Sequence, residues 1–226
     1  MHPSYKSDPE LGKKVHEHLV SIGLETPMTE KVGVSMDSKI SIIKEKFTSI
    51  MDILGLDLTD DSLIDTPSRV AKMYVKEIFY GLDYSNFPKC TKIENKMRNN
   101  GSFLLEKNIN VQSNCEHHFV VIDGLATVAY LPKDVLLGIS KLNRIVQFFA
   151  KRPQVQERLT EQIRATIQYV AQTEDVAVYI DAQHYCVKSR GIEDQNSATV
   201  TLSVGGSFAA EGSEIRKEFL NLARSS

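Results

Sequence analysis

The sequence predicts an α+β protein: a helical N-terminal region over residues 1–100, then an antiparallel sheet with two helices on one face over residues 101–226. Three observations carry this. Apolar residues recur at spacings of three and four through the first hundred residues. After Gly101 the period becomes two. From residue 102 to 208 the order reads strand, strand, helix, helix, strand, strand, and each strand pair is joined by too little chain for a parallel crossover.

The elements follow in order. Leu11, Val15, Leu19 and Ile22 make one helical stripe, with Gly23 as a stop. Ile40, Ile43, Phe47, Ile50 and Leu54 make a second, stopped at Gly55. Thr66-Pro67 reads as an N-cap followed by a first-turn proline, and Val70, Tyr74 and Ile78 carry that helix to Gly81. Phe103, Leu105, Ile109 and Val111 share one face of a half-buried strand, interrupted by Lys107. Residues 119–131 are apolar on both faces, as a buried strand requires. Leu142, Ile145, Val146 and Phe149 mark a helix. After Pro153, the series Val155, Leu159, Ile163, Ile167 and Val170 marks another. Val176, Val178, Ile180 and Ala182 share a strand face, as do Ala198, Val200, Leu202 and Val204. A last helix carries Ile215, Phe219 and Leu222, with Ser213 as its N-cap. The four-stranded sheet has two open edges, which neighbouring copies can close.

With 226 residues, 42% hydrophobic and 25% charged, the chain has enough apolar side chains for a core and is neither disordered nor collagen-like. Its net charge of -2 lacks the basic excess of a nucleic-acid binder, so an anionic ligand must meet a local cluster of cations. No apolar run reaches the length of a membrane span, and residues 1–14 lack the apolar stretch of a secretory signal. Three cysteines then read as reduced thiols or metal ligands in the cytoplasm.

Chemistry concentrates in four short segments. Cys115-Glu116-His117-His118 and His184-Tyr185-Cys186 combine thiols with imidazoles. Strand alternation would put His184 and Cys186 on the face of Val178 and Ile180, and Cys115 in line with Ile109 and Val111. Either cluster alone fits buried cysteines beside satisfied histidines; the matching parity favours an ion shared by Cys115, His118 and Cys186. Three protein ligands and an open fourth position make a catalytic zinc pattern, leaving His117 and His184 for proton transfer. Cys90 has no histidine neighbour and reads as a plain thiol. Gly138-Ile139-Ser140-Lys141-Leu142-Asn143-Arg144 opens a helix with free N–H groups and two cations, which suits phosphate. In residues 152–158, Glu157 can accept the paired N–H donors of a guanine edge; as a surface residue it would pair with Arg158 or Arg152 instead.

These segments resemble GTP cyclohydrolase I of the bacterial, zinc-dependent type. The likeness extends to Glu25-Thr26-Pro27, to Thr66-Pro67-Ser68-Arg69-Val70-Ala71-Lys72-Met73-Tyr74 and to the Arg190-Gly191 pair after the last ligand. Many relatives have a Pro-Phe pair after the two histidines where this chain reads Phe119-Val120-Val121-Ile122-Asp123. The resemblance implies the tunnelling fold, in which ββααββ units of several subunits close one barrel, and a toroidal homodecamer of two pentamers with sites between subunits. It implies conversion of GTP and water to 7,8-dihydroneopterin triphosphate and formate, the entry to folate or biopterin synthesis. It further implies a Zn2+ ion on Cys115, His118 and Cys186, and His117 protonating N7 of the base. His184 and Ser140 are implied at the sugar, and Gln156 and Glu157 at guanine. Arg69, Lys72, Lys141, Arg144 and Arg190 are implied at the triphosphate, the first two reaching a neighbour's site.

Overall fold

The computed structural model describes residues 6–97 and 102–225, so the expected boundary at 100 and 101 lies outside the described residues. Helix α1 (Pro9–Ser21) is capped by the Asp8 carboxylate on the Leu11 N–H. It buries Val15 and Leu19 and ends at Gly23 in the left-handed region. Helix α2 (Met36–Ile53) is stopped by left-handed Gly55 but buries only Met51, so the stripe of Ile50 and Leu54 stays exposed. Helix α3 (Thr66–Met73) starts at Thr66 itself, with Asp65 in the cap position, one residue before the cap expected. It runs into a π turn, Tyr74–Ile78. Gly81 does not stop it. That residue is buried where a Cβ would collide with the carbonyls of Phe148 and Lys151, so glycine there permits close approach of two backbones.

Three short strands were not legible in the pattern. β1 (Lys92–Glu94) pairs antiparallel with β4 (Val135–Leu137). β5 (Pro153–Gln154) joins the main sheet parallel to the end of β2 (Leu104–Cys115). The main sheet is therefore five-stranded, in the order β5-β2-β3-β6-β7, with β3 Val121–Tyr130, β6 Val176–His184 and β7 Thr199–Val204. Both expected hairpins are antiparallel. Helices α4 (Ile139–Ala150) and α5 (Gln156–Ala171) cover one face, giving the ββααββ arrangement of the tunnelling fold. Helix α7 (Glu214–Arg224), capped by Ser213 as expected, packs Phe219 on the other face against Ala129, Ala177 and Tyr179.

Two strand faces differ from the expected alternation. In β2 the register shifts between Glu106 and Ile109, with Asn108 in the left-handed region. That bulge flips the parity: Phe103 and Leu105 face the α7 side, while Ile109, Val111 and Cys115 face the main core. In β7 the apolar residues Val200 and Leu202 lie on the less covered face and stay exposed. Its Thr201 and Ser203 meet α5 instead, through Thr160 and through Arg164 and Glu161.

Candidate metal centre and active site

β2 delivers Cys115, which is buried, to one end of the sheet. The chain then turns back on itself: the Phe119 N–H donates to the Cys115 carbonyl at 2.8 Å and the Cys115 N–H to the Val120 carbonyl at 2.8 Å. Phe119 takes the strained left-handed conformation, φ 55°. Asn114 Nδ2 holds its carbonyl at 3.2 Å, and the rings of Phe79 and Tyr74 lie 5.2 and 6.3 Å from its own. The turn brings His118 over Cys115. From the other side, β6 ends at His184, and Cys186 comes from the single-turn helix α6 (Tyr185–Lys188). Strand alternation therefore does not place Cys186; a helical turn does. The ligand atoms of Cys115, His118 and Cys186 all lie within 4.8 Å of one another.

The donor set fits zinc. Two thiolates and an imidazole are its preferred ligands, and tetrahedral bonds of about 2.3 Å separate two sulfurs by about 3.8 Å. Burial, and the Cys115 sulfur beside it, push the Cys186 thiol above its usual range. A cation between the two sulfurs reverses that balance. Glu116 is not a fourth ligand: its Oε2 accepts from Nη1 and Nη2 of Arg158 at 2.9 and 2.7 Å.

Four further groups surround the cluster. His117, exposed, has Nδ1 3.7 Å from Cys115 Sγ. Arg190 Nη1 donates to His118 Nε2 at 3.0 Å. His184 is half-buried, and that burial lowers its pKa against the pull of Glu157. Glu157 stands exposed in the first turn of α5, where the helix dipole favours a carboxylate. Arg158 and Arg152 pair with Glu116 and Glu25, so neither takes Glu157 in the surface pairing considered above. Gln156 is buried beside His184. Its Oε1 lies 2.8 Å from His184 Nε2, and its Nε2 donates toward the carbonyls of Thr199 and Ile180.

Other expected site residues are not brought to this end. α4 has 12 residues and is about 18 Å long. Its C-terminus leads directly into β5, which pairs with Asn114 and Cys115. Its N-terminus follows β4, whose Leu137 N–H is held by Tyr130 at the opposite end of β3. Ser140 and Lys141, in its first turn, thus lie most of a helix length from the end that meets the metal cluster of the same chain, and Arg144 about half that. There Lys141 and Arg144 pull down, with Lys92, on the Cys90 thiol, which burial nonetheless pushes up to about 12. Arg69 and Lys72 are exposed on α3, where Arg69 pairs with Asp65.

Positioning residues around the centre were not identified from the pattern. Arg152 is fully buried and donates to Glu25, Thr26, Tyr84 and the Gly81 carbonyl, with Tyr84, Phe148 and Phe149 around its guanidinium. Gln154 pairs with Cys115 through β5, its carbonyl receives the Glu116 N–H, and its side chain reaches Gln162, which holds the Leu24 carbonyl. The N-terminal region is thereby tied to the strand end that carries the first ligand. The sequence hides this, because residues 151–162 are mostly polar or charged and look like a surface segment.

Fold and site together define a tunnelling-fold protein with a Cys2His cluster that could hold one metal ion. Residues 43–224 match the family model of GTP cyclohydrolase I. The chain is 56% identical over 220 residues to the GTP cyclohydrolase 1 of Enterobacter sp. (strain 638), covering 96% of this chain and 98% of that protein. It is 57% identical over 210 residues to that of Yersinia enterocolitica, covering 93% and 94%. It is 56% identical to that of Escherichia coli (strain K12 / DH10B), covering 96% and 98%. The chain belongs to the GTP cyclohydrolase I family.

Proposed function

We propose that this chain catalyses the family's reaction, GTP plus water to 7,8-dihydroneopterin triphosphate plus formate, as the first step of pterin or folate synthesis. The observation that carries the reading is the convergence of Cys115, His118 and Cys186 within 4.8 Å, beside His117 and His184. Those three residues would hold zinc, which when bound lowers the pKa of a water toward about 7 and so supplies a nucleophile at neutral pH. His117 protonates N7 of the base, which makes C8 electrophilic. Glu157 accepts the N1 and 2-amino hydrogens of guanine and rejects adenine, which offers an acceptor at N1. His184 moves protons at the ribose, where the sugar opens, rearranges and recloses as the pterin.

GTP carries close to four negative charges, and the centre itself is nearly neutral once two thiolates meet Zn2+. Arg190 is the cation beside it. Ser140, Lys141, Arg144, Arg69 and Lys72 serve the sugar and triphosphate from neighbouring copies, in a toroidal decamer of two pentamers. The distance from α4's first turn to the metal end of its own chain supports this. So do the exposed apolar residues of α2 and the open edge and half-bare face of β7. We place the protein in the cytoplasm, in keeping with three free cysteines among the described residues. No helix among those residues is long and apolar enough to cross a membrane.

The test is zinc analysis with formate and pterin detection on purified protein given GTP. Formate and a fluorescent pterin in equal amounts are expected; zinc-loaded protein that releases neither refutes the reading. With zinc retained, His184→Ala should still change the ultraviolet spectrum of GTP but form little pterin. Pterin formation at the native rate would remove His184 from the mechanism.

A further inference from the structure

The side chain of Gln156 is 1% exposed and lies between the start of α5 and strands β6 and β7. Its amide orientation is determined by its neighbours. Nε2 faces two backbone carbonyls, Thr199 O at 2.8 Å and Ile180 O at 3.2 Å. Carbonyls only accept, so the atom facing them is the NH2 group and the amide cannot be flipped. A third neighbour agrees. Thr160 Oγ1 donates to the Gln156 carbonyl at 2.7 Å, which leaves Thr160 Oγ1 to accept from the Thr201 hydroxyl, also 2.7 Å away. Thr201 Oγ1 is then an acceptor toward Gln156 Nε2 at 3.1 Å.

With the NH2 group fixed, the remaining atom, Oε1, can only accept. Its partner is His184 Nε2 at 2.8 Å. That nitrogen must therefore carry a hydrogen. Nδ1 of the same ring has no protein partner among the described residues.

We propose that Gln156 is a positioning residue for His184: it holds the imidazole with Nε2–H donated to Oε1, so that Nδ1 is the atom offered to substrate. Gln156 does not read the base with its side chain, because both amide hydrogens are already committed to Thr199, Ile180 and Thr201. Recognition at this corner then falls to Glu157, the next residue, whose carboxylate is exposed. The role rests on the proposed reaction for its consequence, but the hydrogen-bond assignment stands apart from it.

Neutron diffraction from deuterium-exchanged crystals of the zinc-loaded wild-type protein tests the assignment directly. Deuterium on His184 Nε2 directed at Gln156 Oε1 is expected, with both amide deuteriums directed at β6 and β7. Deuterium on Nδ1 alone, or a flipped amide, overturns the proposal whether or not the protein turns over GTP. Kinetics test the role. Gln156→Met keeps the volume and removes the acceptor. With zinc content unchanged, kcat should fall about 10- to 100-fold through loss of ring orientation, while KM for GTP stays within about twofold. A raised KM at native kcat would make Gln156 a base reader and overturn the proposal, as would native values of both. If no variant or wild-type sample converts GTP, the proposed reaction fails, and the neutron map alone still decides the hydrogen bond.

Discussion

Replacing Glu25 by alanine isolates the link between the N-terminal region and the site. The Glu25 carboxylate accepts from Arg152 Nη1 at 3.2 Å, the Tyr84 hydroxyl at 2.6 Å and the Thr26 N–H at 2.7 Å, and it meets His16 Nδ1 at 2.7 Å. Its side chain is 11% exposed, whereas that of Arg152 is fully enclosed. Removing the carboxylate leaves a guanidinium buried without a counter-charge, a situation that costs about 3–5 kcal/mol. For a chain of this length each kcal/mol lowers Tm by about 2–4 °C, so a drop of about 6–20 °C is expected. The assay is thermal and urea denaturation of both proteins at one protein concentration, since assembly would shift the midpoint. Arg152→Met placed in the Glu25→Ala background should recover part of the loss, because no stranded charge remains among Tyr84, Phe148 and Phe149. A Glu25→Ala loss below about 1 kcal/mol, or strict additivity in the double variant, would refute the account of Arg152 as a buried charge that depends on Glu25.

Three other outcomes can be checked. Cys186→Ser should strip most zinc from purified protein in a metal assay, while Cys90→Ser leaves it in place; a full zinc complement in Cys186→Ser would remove that ligand. Glu157→Gln sets a donor against the donors of guanine at a cost of about 1–3 kcal/mol, so kcat/KM for GTP should fall roughly 5- to 150-fold; native values would end its role in base reading. Asp175 is partly buried, which raises its pKa, but the Ser207 N–H and hydroxyl and Lys133 outweigh that and hold it below the usual carboxylate value. Its contribution to stability is therefore present above the unfolded value of about 3.9 and lost as pH falls through the lower folded value. Asp175→Asn should flatten the acid limb of stability against pH in that window, and an unchanged limb would contradict the assignment.

Periodicity made the helices and the four long strands legible because each carries an apolar stripe or face at its own period, even in α2 and β7, where that side stays largely exposed. It failed where a single residue changes the phase. The bulge at Asn108 reverses which β2 residues meet the core, and no hydrophobic pattern announces a left-handed asparagine. β1, β4 and β5 are two or three residues long, too short to show a period. The clustering of Cys115, His118 and Cys186 was legible from composition at close spacing, although the path to Cys186 is a helical turn and not strand alternation. The resemblance implied Gln156 at guanine beside Glu157. Only the packing of β6 and β7 against α5 shows that the amide is already occupied. Arg152 reads in sequence as a surface cation, and its burial depends on Glu25, 127 residues away in the chain.

The placement of Lys141 in the first turn of α4, most of a helix length from its own chain's metal ligands, has a genetic consequence. On the proposed arrangement, each catalytic centre is a mosaic of copies, and damage at the two ends of one chain is separable. A chain that has lost Cys186 can still lend its cations to an intact centre next door. A chain that has lost Lys141 can still present a complete metal set. Co-expressed, two such inactive variants should complement each other, with some centres in each ring drawing both intact halves. Expressed with the native chain, either would disable one centre per defective chain, whereas a chain damaged at both ends would disable two.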